Sequence, residues 1–194
     1  MFSINNMYTY TYEVNKSKFI GNIFRVESEE DFTKKLDSLK EEYPKADHYC
    51  YAYRLLDTYK MSDDGEPGST AGSPIYNVIE SNELYNTAIV VIRYFGGTKL
   101  GAGGLVRAYT KAASNLIEKD RLNKLIPACQ ISMTINYDNI NMVDAMLKNC
   151  NAEIISKEFE ELVIYSAIVA KDDLDKIQNV NFEIVKDTMI EINA

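Results

Sequence analysis

An uninterrupted apolar run, Ala88-Ile-Val-Val-Ile92, feeds directly into Arg93-Tyr-Phe-Gly-Gly-Thr-Lys-Leu-Gly-Ala-Gly-Gly-Leu-Val-Arg107. The run reads as a buried strand. Beyond the glycines, Leu105, Tyr109, Ala112 and Leu116, with Val106, Ala113 and Ile117 alongside, mark one apolar face at helical spacing. Gly96, Gly97, Gly101, Gly103 and Gly104 therefore join a strand to the start of a helix, and eight of the nine glycines lie between Gly65 and Gly104. Such a loop lets backbone amides approach a ligand, and a helix start favours negative charge.

The loop completes no nucleotide motif. Lys99 follows Thr98 and precedes Leu100, whereas a P-loop needs Ser or Thr after its lysine; Gly101, Gly103 and Gly104 do not give G-x-G-x-x-G. Arg93, Lys99 and Arg107 bracket the loop, and cations near a helix N-terminus oppose its dipole. A bound anion or neighbouring carboxylates would relieve that opposition. Packing alone remains the plain alternative for the glycines. Upstream lies Ser62-Asp-Asp-Gly-Glu-Pro-Gly-Ser-Thr-Ala-Gly-Ser-Pro74, a polar turn-forming segment. Its Asp63, Asp64 and Glu66 are the acidic residues expected to face the loop. They can pair with the arginines, cap the turn, or help hold magnesium against a phosphate; the calcium-loop spacing is absent.

These segments, with His48-Tyr-Cys-Tyr-Ala-Tyr-Arg54 and Lys16-Ser-Lys-Phe-Ile-Gly21, strongly resemble the IMPACT family and its bacterial YigZ-type branch. The likeness covers about residues 8 to 121, and the string from Arg93 to Gly101 is highly specific. One departure is visible: Gly68-Ser69 stands where the family pattern has Ser-Gly before the threonine, moving the flexible position by one residue. The resemblance implies an α+β protein. Its N-terminal domain would be similar to the second domain of ribosomal protein S5, and a ferredoxin-like domain would follow, similar to domain V of elongation factor G. Eukaryotic relatives restrain a starvation-sensing kinase by competing for its activator, which implies a link to translation.

The residues alone predict a similar organisation. Strands at Tyr8–Val14, Phe19–Val26, His48–Leu55 and Thr87–Phe95 alternate with helices at Glu29–Glu42, Ala71–Ser81 and Gly104–Asp120. Pro127 marks a boundary between residues 1–126 and 127–194. The second part reads strand Ala128–Tyr137, helix Ile140–Asn149, strands Ala152–Glu158 and Glu161–Val169, helix Lys171–Asn179 and strand Phe182–Ile192. That order is βαββαβ. Charge divides the same way: residues 1–126 carry 16 Lys and Arg against 17 Asp and Glu, whereas residues 127–194 carry 5 against 12. So acidic a chain is a poor general nucleic-acid binder, and any RNA contact must be local to Arg93, Lys99, Arg107 and Lys111.

Fourteen tyrosines stand against no tryptophan. Tyr8, Tyr10 and Tyr12 alternate on one strand, and Tyr49, Tyr51 and Tyr53 on another, as packing rows or as stacking platforms for bases. His48, the single histidine, and Cys50 share a strand face, an unpromising catalytic pair; zinc would need further ligands. Three cysteines form no disulfide framework, and no apolar run approaches 18 residues. These features lead to the expectation of a cytoplasmic protein with no membrane segment, no cofactor and no metal. The favoured reading is a non-enzymatic, translation-associated protein that binds RNA or a ribosome-associated protein. An enzyme acting on a phosphorylated or nucleotide substrate, and a protein–protein adaptor, are the alternatives.

Overall fold

The computed structural model describes residues 1–192. Two compact units divide between Lys124 and Leu125, two residues before the expected boundary. The first contains β1 (Phe2–Ile4), β2 (Tyr8–Val14), β3 (Ser17–Arg25), α1 (Glu29–Glu42), β4 (His48–Arg54), β5 (Tyr59–Ser62), α2 (Gly72–Ser81), β6 (Thr87–Tyr94) and α3 (Ala102–Ser114). Its antiparallel sheet runs β2-β3-β6-β4-β5. A two-residue turn at Asn15 and Lys16, both at positive φ, closes the β2–β3 hairpin. α1 begins where Ser28 caps the Asp31 amide and Glu29, Glu30 and Asp31 complement the helix dipole.

β6 lies mid-sheet, and both its faces are covered. Ile89 and Val91 join Phe19, Ile23, Ile75, Ile79, Tyr109 and Leu116 beneath α2 and α3. Ala88, Val90 and Ile92 join Phe24, Phe32, Leu36 and Leu39 beneath α1. A strand buried on both sides needs a continuous apolar run, which accounts for Ala88–Ile92. Both tyrosine rows pack inside the unit: Phe32 meets Tyr51 and Tyr53 at 4.7 and 4.6 Å between ring centroids, and Tyr8, Tyr10 and Tyr12 lie against the α2–α3 core.

From Leu125 onward the second unit holds most of β7 (Leu122–Ile135), then α4 (Ile140–Asn149), β8 (Glu153–Phe159), β9 (Val163–Ala170) and β10 (Glu183–Ile192). β9 lies between β7 and β8, and β10 pairs with β7, giving the order β10-β7-β9-β8 of a ferredoxin-like βαββαβ unit. Cys129, Ile131 and Met133 pack on Val143 and Leu147 of α4 and on Tyr165 and Val169 of β9.

Several boundaries differ from the sequence expectation. The span expected as helix Lys171–Asn179 is a short 3-10 segment, Lys171–Lys176. Its three aspartates are weak helix formers, and Leu174 and Ile177 anchor it to the core. Pro127 lies inside β7, between the stretch paired with β1 and the stretch paired with β9, and marks no loop. α3 starts two residues early and stops at Ser114; Leu116 and Ile117 continue its apolar face from the turn that follows. Among the described residues, no helix is long and apolar enough to cross a membrane.

Candidate functional site

The end of β6 and the glycine loop border a cavity of about 410 Å³, lined by Asp47, His48, Glu66, Pro67, Arg93, Phe95, Lys99, Leu100, Gly101, Ala102 and Leu105. Strand register brings two of these together, since His48 of β4 sits directly opposite Arg93 of β6. Glu66 and Arg93 are both buried, and Arg93 Nη1 donates to Glu66 Oε1 at 2.5 Å. Tyr109 of α3 donates its hydroxyl to the same oxygen at 2.8 Å. The Arg93 guanidinium also lies between two rings, 5.4 Å from the centroid of Phe19 and 5.5 Å from that of Phe95. Its Nε has no hydrogen-bond partner among the described residues.

The acidic loop divides its tasks. Asp63 accepts from the Ala71 and Gly72 amides at 2.9 Å each and from Ser69 at 2.8 Å, so it caps α2 from nine residues away. Burial works against its ionisation, but the amides of Gly72, Ser69, Ala71 and Thr70 together hold the carboxyl below the ordinary range. Asp64 fastens the same loop to β4: its carboxylate accepts from the Tyr49 amide at 2.6 Å, and its carbonyl lies 2.8 Å from His48 Nδ1. Glu66 alone of the three lines the cavity. Among the described residues, no cluster of three or more His, Cys, Asp or Glu is arranged to hold a metal.

Of the expected cationic and glycine residues, Arg93, Lys99 and Gly101 border the cavity, whereas Gly96, Gly97, Gly103, Gly104 and Arg107 are not among its lining. Gly96 packs on the Lys16–Ser17 backbone, and its amide donates to Ser17 Oγ. Gly97 and Gly101 hold positive φ, and Gly104 makes room for Leu100. Arg107 is exposed and folds back along the first turn of α3, close to Gly103. Lys111, one turn further on, is also exposed. The N-cap position of α3 is Gly101, which has no side chain to cap the helix, and no acidic residue lies in its first turn. Cys50 is buried, with its thiol donating to the Asp63 carbonyl at 3.0 Å and lying 3.2 Å from the Tyr109 hydroxyl. Burial pushes that thiol up to about 12 against the opposing Tyr109 contact, so it stays protonated and forms no pair with His48.

Asp47, Phe95 and Tyr109 were not singled out as site residues from the sequence. Tyr109 looks like one more apolar position on a helix face. Asp47 accepts from the Phe95 amide at 2.7 Å, a link across 48 residues with no local signal.

Comparison with known proteins places the chain in a family. The family model for the Impact N-terminal domain matches residues 15–117, more than half of the chain. The chain belongs to the IMPACT family. An IMPACT family member from Haemophilus influenzae is 31% identical over 153 residues, covering 76% of this chain and 74% of that protein. IMPACT family member YigZ of Escherichia coli is 29% identical over 157 residues, covering 78% and 77%. A crystal structure described as that of a hypothetical protein matches the fold with a TM-score of 0.75 at 24% identity, covering 95% of this chain and 97% of that one.

The departure from the IMPACT pattern at positions 68 and 69 has a structural cost. Ser69 adopts φ +61°, the left-handed region that suits the glycine of the family pattern, while Gly68 has no such conformation and open space around it. Ser69→Gly is expected to raise stability by about 0.5–1 kcal/mol, net of glycine's greater freedom in the unfolded chain. Urea unfolding would measure it; a loss of stability would show that the serine hydroxyl contributes more than the backbone strain removes.

Proposed function

We propose that this protein is a non-enzymatic, translation-associated module that binds RNA through the cavity beside the glycine loop. The observation that carries this reading is the pairing of Phe95 with Lys99. Phe95 is 45% exposed, Lys99 is exposed, and both line the cavity that Gly101 and Ala102 at the start of α3 also border. An open aromatic ring offers a stacking surface for a base, and a cation beside free helix amides suits a phosphate. Glu66, the buried anion of the cavity, is already matched by Arg93, so it repels an incoming phosphate little. The link to translation rests on the family resemblance.

Binding by the full chain is expected to be weak and local. With Arg93 engaged by Glu66, one or two cations remain for phosphate, and log affinity should fall against log salt with a slope of about −0.7 to −1.4. Lys99→Glu should weaken binding of a single-stranded oligoribonucleotide about tenfold at low salt, without moving the melting temperature. Fluorescence anisotropy across a salt series checks both values. Absence of RNA affinity at low salt, or affinity indifferent to Lys99→Glu, would overturn the reading in favour of a protein partner.

A further inference from the structure

Two hydrogen-bond acceptors lie side by side in the cavity, and among the described residues none donates to them. The Asp64 carbonyl can only accept, so His48 Nδ1 carries the proton at their 2.8 Å contact. In the neutral imidazole the lone pair is then on Nε2, which lies 3.9 Å from Glu66 Oε2. That distance is too long for a direct hydrogen bond. Oε1 takes both the Arg93 and the Tyr109 bonds, which leaves the second carboxylate oxygen open among the described residues. Both residues line the cavity, and the His48 side chain is 24% exposed.

A matching ligand must bring two donors to adjacent points. One ammonium would supply them, but Arg93 already neutralises Glu66, and the lining is formally balanced, with Asp47 and Glu66 set against Arg93 and Lys99, so an added cation would upset that balance. A neutral pair of hydroxyls meets no such opposition. A cavity of about 410 Å³ also has the capacity for one nucleotide-sized group. Within an RNA chain each ribose has its 3′ oxygen in a phosphodiester and offers one hydroxyl proton. Only the 3′-terminal ribose, or a free ribonucleotide, offers two neighbouring ones.

We propose that the cavity receives a ribose with free vicinal hydroxyls, one donating to His48 Nε2 and the other to Glu66 Oε2, as presented by the 3′ end of an RNA. The assignment rests on the RNA reading above and narrows it from strand to strand end. His48 acts as a recognition residue, and Lys99 meets the phosphate of the same nucleotide.

The test compares two 5′-labelled oligoribonucleotides of one sequence, one ending in an ordinary ribose and one in a 2′,3′-dideoxy sugar, by anisotropy at low salt. Loss of the diol should weaken binding at least about tenfold, because two hydrogen bonds are lost, one of them to a carboxylate. His48→Phe should weaken the diol-bearing RNA by several-fold and leave the dideoxy RNA unchanged, and His48→Gln should restore part of the difference. The ligand comparison on the unaltered protein stands even if a His48 variant folds poorly. Equal affinity for the two RNAs would overturn the diol site and leave the RNA reading intact. Diol-dependent binding of a ribonucleoside 5′-monophosphate with no RNA binding would support the ribose site and overturn the RNA reading. No binding of any of these ligands would overturn both.

Discussion

Arg93→Met is expected to lower stability by about 3–5 kcal/mol, the cost of stranding a buried charge without its partner. The side chains of Arg93 and Glu66 are 6% and 4% exposed, so the carboxylate left behind is poorly solvated. Arg93 also packs between Phe19 and Phe95, and methionine retains part of that apolar contact. Adding Glu66→Gln should recover more than half of the loss, since the amide is uncharged and its oxygen can still accept from Tyr109. Urea unfolding of the two single variants and the double variant gives the coupling directly. A loss below about 1 kcal/mol for Arg93→Met would mean the pair behaves as an exposed one.

Gly96→Ala should be comparably damaging for a steric reason. An added methyl carbon would sit 2.0 Å from the Lys16 carbonyl carbon, 2.2 Å from Ser17 N and 2.3 Å from Lys16 O. All three are backbone atoms of the β2–β3 turn and its neighbour, so no side chain can swing away. The glycine loop and the hairpin would have to separate, with a loss of about 3 kcal/mol or more. Gly68→Ala is the control: nothing lies within 4 Å of its added carbon, and the change should stay within about 0.5 kcal/mol of neutral. Equal unfolding midpoints for the two variants would show that the Gly96 contact relaxes freely.

How much of this was legible in the sequence depends on the range of each interaction. α1 was legible to the residue because its signals are local: Ser28, three acidic residues, then apolar positions at helical spacing. β6 announced itself because burial on both faces demands an unbroken apolar run. β1 and β5 gave no such signal. Phe2–Ile4 is a strand because Leu122–Lys124 pairs with it, and Tyr59–Ser62 is an exposed edge strand held by β4. At the site, the glycine loop and the acidic segment were found, but the division of labour within them was not. Pairing with an arginine and capping of the turn were both legible for the acidic loop, but not which carboxylate does which: strand register and the path of the loop bring Glu66 to Arg93 across 27 residues, and Asp63 takes the cap. In sequence His48 is nearest Cys50, its neighbour on the strand, whereas its cavity neighbour, Glu66, comes from the acidic loop.

β6 gives the site an unusual mechanical footing. Its buried residues contribute to the cores on both sides of the sheet, and Arg93 is the last of them before the chain emerges at the cavity. Local openings of a protein draw on its weakly packed margins, and a central strand comes apart only with the unit as a whole. The Glu66–Arg93 centre is therefore preorganised: a ligand entering the proposed site would meet groups already fixed in place and have little ordering of β6 to impose. If the cavity recognises a ligand, its exposed rim at Lys99 is where a side chain can change with least effect on the strand beneath.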